Sequence, residues 1–170
     1  MQPNAGHLAL AQFAAQHPGR LTLVTQNVDG LHQRAGQVDA IALHGNLMED
    51  RWLDPERDCC RAGVIENGHP PRCPVCGNLR RPAVVWFGEM LPSDALTAAE
   101  VAARDCGLML VVGTAGMVYP AAGLAYRARE AGATVVVINP QTTDLDAVAQ
   151  RCLRERAAQC LPRLLEEIDE

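Results

Sequence analysis

Three short apolar runs, each ending in a polar or glycine-rich turn, constrain the fold of this chain more than any other feature. The runs cover residues 21–25 (LTLVT), 107–112 (GLMLVV) and 133–138 (ATVVVI). Segments with helical spacing of apolar residues lie between them. Buried strands that alternate with helices form βαβ units, whose strands are parallel and whose crossovers are right-handed. The sequence therefore predicts an α/β protein with a Rossmann-like parallel sheet.

Helix stop signals support this alternation. Pro18 and Gly19 follow the first helical pattern, and Gly132 follows the third. Pro162 stands in the first turn of the last pattern, where proline is tolerated. The predicted helices cover residues 5–16, 97–104, 121–131 and 161–168.

Polar or glycine-rich turns follow the carboxyl ends of the three strands, at residues 26–30, 113–116 and 139–141. Ligands of open α/β sheets bind at these ends, so the three turns together favour a ligand crevice. Glycine in the turn 113–116 lets the backbone approach a ribose or phosphate. This turn is not a complete GxGxxG motif, and an ordinary strand-to-helix turn explains it as well.

Residues 46–82 differ from the rest, since they hold four of the seven cysteines and show little periodicity. Cys73 and Cys76 have the spacing of half a zinc ribbon. The partner pair should lie upstream, where Cys59 and Cys60 are the only candidates, although adjacent cysteines rarely chelate one tetrahedral zinc well. The predicted organisation is a sheet domain in two parts, residues 1–45 and 83–170, with a small zinc-ribbon-like module inserted at residues 46–82.

Charge and cysteine content exclude several classes of protein. The net charge of −5, with no basic run, gives no sign of a nucleic-acid binder. No apolar stretch approaches the roughly 18 residues of a membrane span. An odd number of cysteines argues against a secreted disulfide framework, and Cys106, Cys152 and Cys160 lie on strand or helix patterns as inert thiols. A cytoplasmic protein is expected.

His44, which follows an apolar run and precedes Gly45, is the first candidate for a general base. A lone histidine is more often a hydrogen-bonded structural residue than a base. His32 is an alternative by the same reasoning. No comparable setting surrounds His7, His17 or His69.

Several ordered motifs resemble those of one family. Residues 25–36 (TQNVDGLHQRAG) look like the sirtuin (Sir2 family) signature, and residues 43–45 (LHG) follow at the family's spacing. Residues 82–89 (PAVVWFGE) are similar to its substrate-binding loop, and residues 111–123 (VVGTAGMVYPAAG) and 138–139 complete the set. The resemblance covers nearly the whole chain and is strongest to the class III deacylases.

The resemblance implies an NAD-dependent protein lysine deacylase, of deacetylase or desuccinylase type, which releases nicotinamide and O-acyl-ADP-ribose. His44 would be the general base on the ribose hydroxyls. Asn27 would orient the ribose and the reacting water, and Asp29 would hold the nicotinamide carboxamide. Gln26 would contact the ribose near His44.

The remaining implied residues fall into two groups. The cofactor group comprises Val28, Gly113, Thr114, Ala115, Asn139, Pro140, Gln141 and Ala157. The substrate group comprises Val85, Trp86, Phe87, Gly88, Glu89, Met117, Val118 and Tyr119. An acyl-lysine protein or peptide would enter between the segments 85–89 and 116–119 as an added strand.

The sequence also departs from the family pattern. Sirtuins open with a strand and a Gly-Ala-Gly pyrophosphate loop, and the acyl-selecting Tyr and Arg follow; none has a counterpart here, so an N-terminally truncated sirtuin, whose sheet lacks its first strand, is expected. Trp52 and Pro55 stand where the first zinc knuckle has cysteines, and Ala115 replaces the usual Ser.

These departures leave two hypotheses about activity. The first is a deacylase whose recorded sequence starts late. The second is a truncated, weakly active or inactive sirtuin-like protein that binds acyl-lysine peptides. A generic α/β nucleotide-binding protein with a zinc ribbon also fits the composition, but it leaves the ordered motifs unexplained.

Overall fold

The computed structural model describes residues 1–37, 39–54, 56–61 and 66–169. The chain divides into two compact units. We call the first, Met1–Gln26, Leu31–Leu43 and Leu91–Glu170, the sheet unit. We call the second, Asn27–Gly30 and His44–Met90, the cysteine unit.

Parallel strand pairing dominates the sheet unit. Strand β1 (Val24–Thr25) pairs with β2 (Ile41–Ala42). A second parallel sheet has the order β5-β6-β7, with β5 at Leu108–Val112, β6 at Thr134–Ile138 and β7 at Arg151–Leu153. This arrangement confirms the predicted α/β fold class with parallel strands. The first strand is shorter than the predicted 21–25, because β2 offers it only two paired residues.

Helices flank the strands of the sheet unit. They are α1 (Ala5–Gln16), α2 (Leu31–Arg34), α4 (Ser93–Asp105), α5 (Gly123–Glu130), α6 (Ala157–Asp169) and a 3-10 turn at Asp144–Ala147. Helix α1 begins at residue 5 because the Asn4 side chain accepts hydrogen bonds from the backbone of Gly6 and His7. Among the described residues, no helix combines the length and hydropathy that crossing a membrane requires.

Two apolar clusters form the core of the sheet unit. One joins α4, α5 and alternate residues of β6, such as Val135 and Val137, with Leu43 and Leu145. The other joins α1 and α6 with the opposite face of β6, where Ile138 is fully buried. Because β6 buries side chains on both faces, its sequence is a continuous apolar run.

The cysteine unit is built on one antiparallel pair, β3 (Gly45–Trp52) and β4 (Arg80–Val84), with a short helix α3 at Asp58–Arg61. The pairing shifts register between Asn46 and Asp50, which marks a bulge in β3. The Asn46 side chain braces the bulge, because its Oδ1 accepts from the backbone N–H of Met48 at 2.9 Å. Pro55, one of the replaced knuckle positions, lies outside the described residues.

Candidate active site

The β3–β4 pair fixes the backbone at His44. The carbonyl oxygen of His44 accepts a hydrogen bond from the N–H of Val85 at 2.9 Å, and the next residue, Gly45, pairs with Val84. Gly45 has a φ of 78°, and a Cβ at this position would lie 1.9 Å from the carbonyl oxygen of Ala83. Only glycine fits there. The side chain of His44 is half-buried, and the backbone beside it is held in one conformation by strand pairing and by Gly45.

The turn Asn27–Gly30 belongs to the same unit as His44. It is tied to the bulge of β3, because the N–H of Leu47 donates to the carbonyl oxygen of Val28 at 2.9 Å. Asn27 and Asp29 are exposed. Three residues with predicted catalytic roles, Asn27, Asp29 and His44, therefore lie in the cysteine unit.

The predicted peptide segment 85–89 continues from β4. Trp86, Phe87 and Gly88 are exposed, whereas Val85 and Glu89 are half-buried. The Glu89 carboxylate accepts from the backbone N–H of Trp86 at 3.0 Å and from Arg51 Nη2 at 2.7 Å. This carboxylate therefore bonds to its own loop and to β3.

The turns after β5 and β6 are joined by hydrogen bonds. The N–H of Gly113 donates to the carbonyl oxygen of Ile138 at 3.0 Å, and Asn139 Nδ2 donates to the carbonyl oxygen of Thr114 at 3.1 Å. Gly113 has a φ of 66°, and a Cβ there would meet no atom within 4 Å. The backbone at Gly113 therefore faces open space, as close approach of a nucleotide requires.

Arg154, which sequence reasoning missed, holds the turn after β6. Its Nη1 donates to the carbonyl oxygens of Asn139 and Gln141 at 3.4 and 3.0 Å, and its Nη2 pairs with Asp146. Partial burial tends to raise the pKa of Asp146, but hydrogen bonds from Arg154 and Thr143 outweigh it and hold the pKa below the usual carboxyl value. No sequence motif predicts the role of Arg154, because most of its partners are backbone oxygens.

The other predicted residues lie on the sheet unit. Gln26 directly follows β1 and is half-buried, and Ala157 is the half-buried first residue of α6. The carbonyl oxygen of Ala115 accepts from the N–H of Asp144 at 3.1 Å. The exposed remainder comprises Pro140, Gln141, Met117, Val118 and Tyr119.

His7 and His32 differ from His44 in position. His32 lies on α2 of the sheet unit, with its ring centroid 4.6 Å from that of His7. His7 Nδ1 accepts from the backbone N–H of Asn4 at 3.4 Å, which closes a capping box at the start of α1. His7 therefore has a structural role at a helix start.

Four cysteines converge in the cysteine unit. The sulfur atoms of Cys59, Cys60, Cys73 and Cys76 all lie within 4.8 Å of one another, and those of Cys60 and Cys76 are 3.6 Å apart. Tetrahedral zinc with Zn–S bonds of about 2.3 Å needs sulfurs roughly 3.8 Å apart. The four thiols therefore fit zinc. Cys59 and Cys60, which the sequence offered as the partner pair, both reach the cluster from α3 although they are adjacent.

The cluster shifts the acidity of its own thiols. The backbone N–H of Asn78 lowers the pKa of the Cys76 thiol to about 7, with smaller contributions from the neighbouring cysteines. Hydrogen bonding to Cys76 raises the pKa of the Cys59 thiol to about 12. A thiolate that accepts backbone and thiol hydrogen bonds is the form that binds metal.

Known proteins resemble this chain over nearly its full length. The chain is 52% identical to an NAD-dependent protein deacylase of Ralstonia nicotianae, over 97% of this chain and 66% of that protein. It is 42% identical to an NAD-dependent protein deacylase of Aquifex aeolicus, over 99% of this chain and 70% of the relative. The chain thus spans about two-thirds of the length of the curated relatives it matches.

Solved structures agree with this relationship. A Sir2 homologue in complex with NAD shares 37% identity and a TM-score of 0.85, over 99% of this chain and 65% of that one. A Sir2 complex with p53 peptide and NAD+ gives 34% identity and a TM-score of 0.84, over 99% of this chain and 71% of that one. The model of the Sir2 family matches residues 1–120. This chain belongs to the Sir2 family.

Proposed function

We propose that this chain carries the catalytic part of an NAD-dependent protein lysine deacylase. The observation that carries the proposal is the β3–β4 pairing, which joins His44 to the segment 85–89 through the hydrogen bond between Val85 N–H and His44 C=O. The base and the peptide segment thus adjoin the same end of one small sheet. The names of the relatives, all NAD-dependent protein deacylases, support the same reaction.

His44 acts in this proposal as the general base that takes a proton from a ribose hydroxyl. Imidazole suits this step because it can exchange a proton near neutral pH. Asn27 and Asp29, on the turn tied to β3, position the ribose, the water and the nicotinamide carboxamide. Gln26 contacts the ribose.

NAD supplies nicotinamide as the leaving group and a ribose that accepts the acyl group. The open space at Gly113 supports binding of the nucleotide to the turns after β5 and β6. Thr114 and Asn139, which are hydrogen-bonded to each other, hold the adenosine ribose side. Arg154 keeps the turn 139–141 in place for this purpose.

The acyl-lysine substrate binds as an extended peptide that adds to the exposed segment 85–89. The Sir2 complex with p53 peptide supports a peptide substrate of this kind. Zinc at Cys59, Cys60, Cys73 and Cys76 stabilises the unit that carries the base and this segment. The odd number of cysteines, which argues against a secreted disulfide framework, supports a reducing, cytoplasmic location.

An NAD-dependent deacylation assay tests the proposal. The purified chain is incubated with acetyl-lysine or succinyl-lysine peptides, with and without NAD, and nicotinamide and O-acyl-ADP-ribose are measured by mass spectrometry. We expect turnover that requires NAD. We expect His44→Ala to lower turnover by about 100-fold or more, because a positioned general base contributes roughly that much.

His69→Ala is the matched control, since His69 is an exposed histidine of the same unit. This variant should keep wild-type turnover. His32→Ala tests the alternative base. A His44→Ala variant with near-normal turnover would show that the base is assigned wrongly, and peptide binding without any NAD-dependent product would contradict the proposed activity.

A further inference from the structure

Arg81 is a residue of β4 that is only 7% exposed. Its side chain contacts the proposed peptide segment, residues 85–89. Its Nη1 donates to the carbonyl oxygen of Val84 at 2.8 Å, and its Nη2 pairs with the Glu89 carboxylate. The guanidinium carbon lies 3.9 Å from the centroid of the Trp86 ring. One buried cation therefore contacts three points of the chain between residues 84 and 89.

Glu89 forms hydrogen bonds within the same segment. Its second carboxylate oxygen accepts from the backbone N–H of Trp86, and its own N–H donates to the carbonyl oxygen of Trp86 at 3.0 Å. Both main-chain polar groups of Trp86 are thus used within the loop. Among the described residues, no hydrogen bond engages the N–H or the C=O of Phe87 or Gly88, which are the loop's exposed tip.

This pattern decides which backbone groups of the loop can form hydrogen bonds with a peptide. The hydrogen bond from Glu89 N–H to the carbonyl oxygen of Trp86 closes a turn, and Gly88 has a φ of 88°, so the exposed groups of Phe87 and Gly88 lie on a turn and not on an extended edge. Glu89, held by Arg81, bonds to the N–H and C=O of Trp86, so only the N–H and C=O groups of Phe87 and Gly88 are left for a peptide. Without the pair, Trp86 N–H would also become available, and a peptide would no longer meet one fixed set of backbone groups.

The free energy of a buried ion pair indicates that Arg81 orients the loop more than it stabilises the fold. A buried ion pair seldom stabilises a fold more than well-packed apolar residues would, because both charges lose their hydration. The planar guanidinium can bind a carboxylate, a carbonyl oxygen and a ring face at once, which the single ammonium group of lysine cannot. We infer that Arg81 is a positioning residue, which acts through Glu89 to set the peptide-binding geometry of residues 85–89.

This inference rests on the proposed function and deepens it. It also distinguishes Arg81 from its neighbour Arg80, whose Nη2 donates to the carbonyl oxygen of Asp50 at 2.7 Å and whose guanidinium lies 5.2 Å from the Trp52 ring centroid. Arg80 has the same charge and the same kind of ring contact, but its partners lie on β3. Arg80→Lys is therefore the matched control for Arg81→Lys.

The test measures two properties of the full 170-residue chain. The first is the affinity for a fluorescein-labelled acetyl-lysine peptide, by fluorescence anisotropy, beside the affinity for NAD, by calorimetry. The second is hydrogen exchange at the amides of residues 86 and 89 in the free chain. We expect Arg81→Lys and Glu89→Gln each to weaken peptide binding about tenfold, since each removes charge-assisted hydrogen bonds.

Affinity for NAD should stay within about twofold in both variants, and Arg80→Lys should change neither affinity. Exchange at residues 86 and 89 should become faster in the two test variants only. The double variant should be no worse than either single one, because the two side chains act as one unit. A purely structural role would instead weaken both affinities together.

Three results would overturn the inference: wild-type peptide affinity in Arg81→Lys, additive losses in the double variant, or unchanged exchange at residues 86 and 89. If Arg81→Lys does not fold, Glu89→Gln decides, because Glu89 lies closer to the surface. A wild-type chain that binds no peptide contradicts the proposed function, and the exchange rates of the free chain still decide the role of Arg81.

Discussion

The sheet unit and the cysteine unit bury different chemistry. In the sheet unit, aliphatic side chains on both faces of β6 form two apolar clusters. In the described part of the cysteine unit, the buried side chains are Cys60, Cys73, Asn78 and Arg81. Burial of aliphatic area is the main stabilising contribution for the first unit, whereas thiols, ion pairs and backbone pairing must serve the second. One chain therefore combines a unit with an aliphatic core and a unit whose few buried side chains are cysteines and polar residues.

Removal of metal should give the largest difference in stability between the two units. Structural zinc contributes about 10–16 kcal/mol of apparent binding free energy in small zinc modules, and the cysteine unit has little apolar burial to replace it. We expect a chelator, or Cys73→Ser, to abolish hydrogen-exchange protection in β3 and β4 while β6 stays protected. Mass spectrometry of exchanged peptides measures both regions in one sample.

Cys160→Ser is the control, because Cys160 is a buried thiol of the sheet unit, outside the cluster. It should leave the exchange of β3 and β4 unchanged. A zinc content near zero in the purified chain, or protection of β3 and β4 that survives chelation, would contradict the dependence on metal.

A cavity in the sheet unit should have the next largest effect. Ile138 is fully buried in β6, so Ile138→Ala should lower the free energy of unfolding by about 2–5 kcal/mol. The loss should appear in β5 and β6 and not in metal content. Leu108→Ala is the control on β5, since Leu108 is 39% exposed and should cost less than about 1 kcal/mol. Urea unfolding measures both, and equal losses would show that burial is not what stabilises this unit.

Two glycine variants sharpen the comparison at backbone level, and Gly113→Ala should have the smallest effect of all. Gly45 and Gly113 both have positive φ, so alanine at either position should cost about 1–2 kcal/mol in strain. Gly113→Ala adds no contact, whereas Gly45→Ala pushes a methyl group into the carbonyl oxygen of Ala83. Gly45→Ala should therefore destabilise more than Gly113→Ala in thermal unfolding, and equal costs would show that β3 and β4 can separate freely.

Much of the sheet unit could be predicted from the sequence, because burial leaves a pattern there. Helix α1 covers the predicted residues 5–16 and ends before Pro18, and the apolar runs of β5 and β6 match their strands within a residue. Strand β3 was not predicted, since most of its side chains are exposed and no alternation marks it. Its stability comes from pairing with β4, which is distant in sequence.

The candidate site shows the same division. The ordered motifs of the family identified His44, the turn after β1 and the segment 85–89. The roles of Arg81 and Arg154 could not be read from the sequence, because their partners are backbone oxygens and acids that only the folded chain brings near. The ability of Cys59 and Cys60 to reach one cluster could not be predicted, because adjacency in sequence does not fix the directions of two thiols on a helical turn.

The positions of the two tryptophans give the units separate optical signals. Trp52 and Trp86 both lie in the cysteine unit, each beside an arginine guanidinium. All helices of eight or more residues in the described chain lie in the sheet unit. Intrinsic fluorescence therefore follows the cysteine unit, while far-UV circular dichroism follows mainly the sheet unit. A single heating scan that records both signals reports on the two units without any label.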